Sequence, residues 1–181
     1  MSKDLMIDLE TLGTKAGCVI LSIGAVPFDI ETGKISKEVF YQAINIQSCI
    51  DAGLFVMGDT IEWWMKQSEE ARNAFLLANK KNLGETLHEF RLYLQKLGTR
   101  DLMIWGNSNR FDLGALDAAY KAVNREFPWY FRNERDVRTL VGFAPDIKKN
   151  WEFKGELHDP IVDCINQIGY CSQIYKILKH A

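Results

Sequence analysis

Leu5-Met6-Ile7-Asp8-Leu9-Glu10-Thr11 joins an apolar start to two carboxylates one residue apart. In a strand, side chains alternate between faces, so Asp8 and Glu10 point the same way. Two acids that close repel each other, and a core strand tolerates them only with something positive between them. A divalent cation is the natural candidate. Asp29 and Glu31 repeat the spacing inside a turn-rich stretch that ends Thr32-Gly33-Lys34. That second pair reads as a solvated hairpin tip, so the spacing alone carries little weight; the strand context carries it.

Outward from this strand, Leu12 to Gly17 is a polar, glycine-bearing connection. Residues 18–28 read as a long buried strand, 29–34 as a turn and 38–44 as a third strand by alternation. Short links between the three predict an antiparallel meander. The middle of the chain then turns helical over 46–53, 60–67, 69–79 and 83–97. In the last of these, Leu83, Leu87, Phe90, Leu94 and Leu97 form an apolar stripe at spacings of three and four. Leu102-Met-Ile-Trp105 predicts a short strand that leads through Gly106 and a polar loop to a helix over 111–123. We expect a last strand at 128–131, a short helix at 136–143 and a lysine- and aromatic-bearing loop at 144–155. The closing helix spans 160–179, with Ile161, Ile165, Ile168 and Tyr175 on or near one face. A meander followed by strand–helix units gives an α/β fold: a mixed central sheet, antiparallel then parallel, with helices on both faces.

The bulk numbers fit one domain over residues 1–181, with 47% apolar and 25% charged residues. A net charge of −2 argues against a protein that wraps duplex nucleic acid. It does not argue against an enzyme whose metal ions supply positive charge locally. Cys18, Cys49, Cys164 and Cys171 form no C-x-x-C pair and read as buried thiols of a reducing compartment. No basic-then-apolar leader and no eighteen-residue apolar run is present, so the expectation is a cytoplasmic protein without a membrane partner.

Partners for the carboxylate pair lie far along the chain. Asp112 follows a strand and a polar loop at a helix start, where an acid favours the helix dipole by ~0.5 kcal/mol. The end of a strand is also where open sheets place their sites. In Leu157-His-Asp-Pro-Ile-Val-Asp163, Asp159 suits an N-cap and Pro160 a first helical residue. Asp163 then lies one turn into the helix on an apolar face, and His158 just precedes it. His88 and His180 read as surface residues. Four carboxylates can hold two divalent cations about 4 Å apart, the arrangement that drives in-line attack on a phosphodiester. A histidine titrating near neutrality can take the proton of the attacking water. Hard oxygen ligands favour Mg2+ or Mn2+. Glu62-Trp63-Trp64-Met65 reads either as core with one exposed ring or as a surface on which a base stacks.

The order of these motifs resembles the DEDD superfamily of 3′→5′ exonucleases, in its histidine-bearing DEDDh branch, which has an RNase H-like fold. Asp8-Leu-Glu-Thr11 matches the first motif, Asp112 within Trp105-Gly-Asn-x-x-x-Phe-Asp the second, and His158 with Asp163 the third. The second motif and Arg135-Asp-Val-Arg-Thr-Leu140 look closest to phage and prophage exonuclease VIII-like proteins and mycobacterial exoribonucleases. The resemblance implies Asp8, Glu10, Asp112 and Asp163 as ligands of two cations, with His158 as general base. It also implies that the Leu9 backbone and the Thr11 and Leu12 side chains meet the terminal nucleotide, with Asn107 and Phe111 nearby. Pro160 stands where many relatives carry a small residue. Implied partners are single-stranded or 3′-overhanging DNA or RNA and a second copy in a homodimer, with Trp63 and Trp64 at one possible interface. Lys148 to Lys154 read either as a backbone-holding loop or as a solvated connection.

Two other readings compete. A non-catalytic nucleic-acid-binding module on the same fold conflicts with the intact acid set, which would repel phosphates without metal. An aspartyl phosphatase with Asp8 as nucleophile wants an aspartate where Glu10 stands.

Overall fold

The computed structural model describes residues 3–180. Its centre is a six-stranded mixed sheet in the order β4-β3-β2-β1-β5-β6. The meander is β1 (Asp4–Thr11), β2 (Ile20–Phe28) and β3 (Phe40–Ile44), antiparallel throughout. Three helices follow, α1 (Ile46–Asp51), α2 (Gly58–Met65) and α3 (Glu69–Leu76). The two-residue β4 (Lys80–Lys81) then extends the sheet parallel to β3. After α4 (Leu83–Leu97), β5 (Met103–Gly106) returns parallel to β1. Then come α5 (Asp112–Ala122), the edge strand β6 (Glu134–Asp136), α6 (Val137–Gly142), α7 (Pro145–Lys149) and α8 (Pro160–His180).

β1 is buried on both faces, and its alternation divides the molecule. Leu5, Ile7 and Leu9 join Leu87, Phe90 and Leu94 of α4 and Leu113, Leu116 and Tyr120 of α5 in one core. Met6, on the other face, joins Val26, Phe28 and the α8 residues Cys164, Ile168 and Cys171. Asp4, Asp8 and Glu10 share that second face by the two-residue period. Asp4 has a structural role: its carboxylate accepts from Trp105 Nε1 at 2.9 Å and from the Ile30 backbone at 3.3 Å.

The N-terminus of α8 meets the sheet at Gly24, the residue paired with Asp8. A Cβ there would lie 2.7 Å from Pro160, so only glycine admits this approach. Cys164 Sγ reaches the Met6 carbonyl at 3.5 Å, which fixes the helix over β1. Gly24→Ala is expected to lower stability by about 1–3 kcal/mol, the usual cost of overpacking a close contact. Thermal unfolding checks this, and an unchanged melting temperature would contradict the packing account.

Three expectations are corrected. The last strand lies at Glu134–Asp136 and not at 128–131, where Trp129 goes into the core and donates to Glu134 at 3.0 Å. The 144–155 segment contains α7, and its Trp151 packs on Gly169 and donates to Asn166 Oδ1 at 3.0 Å. Ile165 is exposed, because the buried stripe of α8 runs through Cys164, Ile168 and Cys171. The four cysteines are buried and free. At the hairpin tip, Asp29 accepts from the Thr32 backbone and Glu31 pairs with Lys179. No helix among the described residues is long and apolar enough to cross a membrane.

Candidate active site

The sheet and α8 bring three of the expected residues together. Donor atoms of Glu10, His158 and Asp163 all lie within 4.8 Å of one another. Asp8 and Asp112 stand beside this group, close enough that Asp112 and Asp163 raise the Asp8 pKa. Asp8 accepts from Gln167 Nε2 at 2.7 Å, and Gln167 lies one turn beyond Asp163 on α8. Asp112 is buried at the start of α5 and accepts from the Ser108 backbone at 2.8 Å. The β1–β2 ladder shifts register between Glu10 and Thr11, a local irregularity of the kind that re-aims side chains beside active sites.

His158 sits in the left-handed region at φ 66°, uncommon for a residue with a side chain. Its ring meets Trp63 edge-on at 4.8 Å between centroids and Trp64 at 5.9 Å. Trp64 Nε1 donates to the Thr11 carbonyl at 2.9 Å, which ties α2 to the end of β1. The tryptophan pair therefore belongs to the site. Just after the histidine, Asp159 Oδ1 caps α8 by accepting from Ile161 and Val162, as its position predicted.

Electrostatically the site is overloaded with acid. Burial, then repulsion from Asp112 and Asp163, pushes Asp8 well above the carboxylate range. Burial, then Asp8 and Asp163, pushes Glu10 up to about 10. Burial pushes Asp112 and Asp163 up to about 6 each. Burial lowers the His158 pKa, which favours the neutral imidazole. Four acids so placed want a cation, and the orphaned buried oxygen of Gln167, whose amide nitrogen holds Asp8, adds an unsatisfied acceptor. The residues present therefore fit a divalent metal.

A stability test follows. Asp163 titrates higher folded than unfolded, so the metal-free fold binds the extra proton. Its contribution is present below pH ~4 and lost as pH rises through about 6. Asp29 and Asp136, shifted down, and His158, lowered by burial, pull the other way, so the comparison is with Asp163→Asn. Between pH 5 and pH 7 the metal-free wild type should lose melting temperature relative to Asp163→Asn. Mn2+ should stabilise the wild type more at pH 7 than at pH 5. Equal stabilisation at both would contradict the coupling of these acids to a cation.

Of the expected nucleotide contacts, Thr11 and Phe111 line a cleft of about 1090 Å³ that also contains Glu10. Leu9 is in the core and its backbone is paired with Ile23 of β2. Leu12 also packs in the core, with 9% of its surface exposed. Asn107 stands between β5 and the Ser108 backbone that holds Asp112. Met57, Thr60, Lys15, Arg110 and Arg138 also line the cleft, and sequence reasoning did not single them out. Gln167 was legible in principle, four residues from Asp163 and hence on the same helix face.

No curated protein matches the chain. Solved structures of similar fold include cell-death related nuclease 4, at 15% identity and a TM-score of 0.69. The nuclease domain of 3′hExo, a DEDDh family member bound to rAMP, matches at 12% identity and a TM-score of 0.67. E. coli exonuclease I with a dA16 oligonucleotide matches at 16% identity and a TM-score of 0.61. The alignments cover 96%, 97% and 99% of this chain, but 64%, 93% and 41% of the other chains respectively. At these identities the likeness concerns the fold, the RNase H-like arrangement that the motifs implied. The family model described as the 3′-5′ exoribonuclease Rv2179c-like domain matches residues 3–175, and the chain belongs to that family of 3′→5′ exonucleases.

Proposed function

We propose that residues 1–181 act as a single exonuclease domain of DEDDh type. It removes nucleoside 5′-monophosphates from single-stranded or overhanging 3′ ends, with two Mg2+ or Mn2+ ions and His158 as general base. The observation that carries this reading is the convergence of Glu10, His158 and Asp163 within 4.8 Å, with Asp8 and Asp112 alongside. Asp8, Glu10, Asp112 and Asp163 would hold the cations. When bound, the ions supply a more acidic water and offset charge at the leaving oxygen.

The chain's own groups do the rest. Gln167 orients the Asp8 carboxylate, and the Ser108 backbone orients Asp112. His158, kept neutral by burial, accepts the proton of the attacking water. Trp63 and Trp64, packed against each other, meet its ring from one side. The family description favours RNA, while the neighbours include one bound to rAMP and one to DNA. The affiliation with exonuclease VIII-like phage proteins rests on the wording around Trp105 and Arg135. The homodimer and the cytoplasmic setting belong to the same proposal, and the mass of the protein in solution checks the first.

Product chemistry tests the reading. Matched RNA and DNA strands should yield nucleoside 5′-monophosphates, with RNA consumed faster. A 3′-phosphorylated strand should resist digestion. Nucleoside 3′-monophosphates, or cleavage inside the strand, would overturn it.

A further inference from the structure

The cleft beside the carboxylates has walls of different chemistry. From α2 and the residue before it come Met57, Thr60, Trp63 and Trp64, with Asp59 as the α2 acid that lines the cleft. The loop before α5 contributes Arg110, and α6 contributes Arg138. The 12–17 connection contributes Lys15; there Thr14 touches Met57 Sδ at 3.4 Å, and a Cβ on Gly114 of α5 would meet Ala16 at 3.6 Å. Among the described residues, none of these three cations forms an ion pair. All three are exposed on the rim, while the acids lie deeper.

Two of the cations are held in register. Asp136, from the Arg135-Asp-Val-Arg stretch, accepts from the Asn109 backbone at 2.9 Å with one oxygen. With the other it caps α6, accepting from the Thr139 backbone at 2.7 Å. One carboxylate thus clasps the loop bearing Arg110 to the helix bearing Arg138.

We propose that Lys15, Arg110 and Arg138 form a phosphate-binding wall that holds the sugar–phosphate backbone upstream of the bond cleaved, while Trp63 and Trp64 offer faces to its bases. Cations on one set of elements and aromatic rings on another suit a single strand, whose backbone and bases part to different sides. Guanidinium groups match phosphate oxygens in a two-pronged geometry, which an exposed lysine supplements as a point charge. The inference rests on the exonuclease reading and adds the substrate's register and the residues that hold its backbone.

The test uses the full chain with glutamine at each of the three positions, singly and together. Binding of a fluorescent single strand is followed with Ca2+, and turnover with Mg2+ or Mn2+. Each lost phosphate contact should reduce the slope of log affinity against log salt by about 0.7, so the triple variant loses about 2. KM for a longer strand should rise about tenfold or more in the triple variant, while a dinucleotide, which has no upstream phosphate, changes by less than about twofold. Arg138→Lys should keep most of the slope; a loss that lysine does not restore would overturn the electrostatic role. An unchanged slope and KM in the triple variant would overturn the wall altogether. If the wild type does not cleave while the variants lose salt slope as expected, the exonuclease reading fails and only the three phosphate contacts stand. If it cleaves and the variants behave as wild type, the wall alone fails.

Discussion

Asp8→Ala is expected to reduce 3′-end cleavage by about a thousandfold or more, since a metal site supplies several kcal/mol of transition-state stabilisation. Asp8 stands at the electrostatic centre of the site, where the charges of both Asp112 and Asp163 bear on it. Removing it takes a carboxylate, the proposed metal ligand, from among the other acids and also strips Gln167 of its acceptor. The fold should survive. A buried unpaired amide costs about 1–3 kcal/mol, and relief of repulsion among the remaining carboxylates opposes that cost. Asp8→Asn, which still accepts from Gln167, separates the two effects: it should melt at or above the wild-type temperature without metal and be equally inactive. Full activity in either purified variant would refute the assignment. Asp163→Ala should behave alike, because Asp163 belongs to the tight Glu10–His158–Asp163 group.

The second large effect is expected at His158. Loss of a general base costs about 10²–10⁴-fold in turnover. The replacement needs care, because φ is 66° and alanine is strained there, whereas asparagine tolerates the left-handed region. His158→Asn should therefore fold as the wild type, keep its stabilisation by Mn2+, and lose most of its turnover. The acidic limb of the pH–rate profile should flatten with it. If His158→Asn instead abolishes stabilisation by Mn2+ at pH 7, the imidazole is a metal ligand and the base must be sought elsewhere. The donor distances make this a real alternative, since His158 lies within 4.8 Å of two carboxylates.

Much of this architecture was legible where local pattern and tertiary burial agree. The alternation in β1, the stripe in α4 and the Asp159-Pro160 start of α8 each depend on short-range spacing, and each element formed near its expected position. The rest depended on pairing that no local pattern encodes. β4 is two lysines, a strand only because β3 lies beside it. β6 is Glu134-Arg-Asp136, charged because it borders the sheet, while the more strand-like 128–131 segment spends Trp129 on the core. α8 buries Asn166 and Gln167 among its apolar residues, which blurred its stripe and misplaced Ile165.

The candidate site shows the same division. Asp8 and Glu10 could be read from alternation, and Asp163 from an acid on an apolar helix face. The cluster formed only because Gly24 lets α8 approach β1. Trp63 and Trp64 admitted core, interface and stacking readings until the structure placed them against His158. Asp136 was legible only as the start of a short helix; one of its oxygens caps that helix and the other holds the loop before α5.

The most direct measurement is digestion of a 5′-labelled single strand, RNA beside DNA, with Mg2+, Mn2+ or EDTA and with Asp8→Ala as control. The account predicts a ladder shortening from the 3′ end, abolished by EDTA and absent from the variant. Retained binding without degradation of either strand would contradict it and leave a nucleic-acid-binding module on an exonuclease fold.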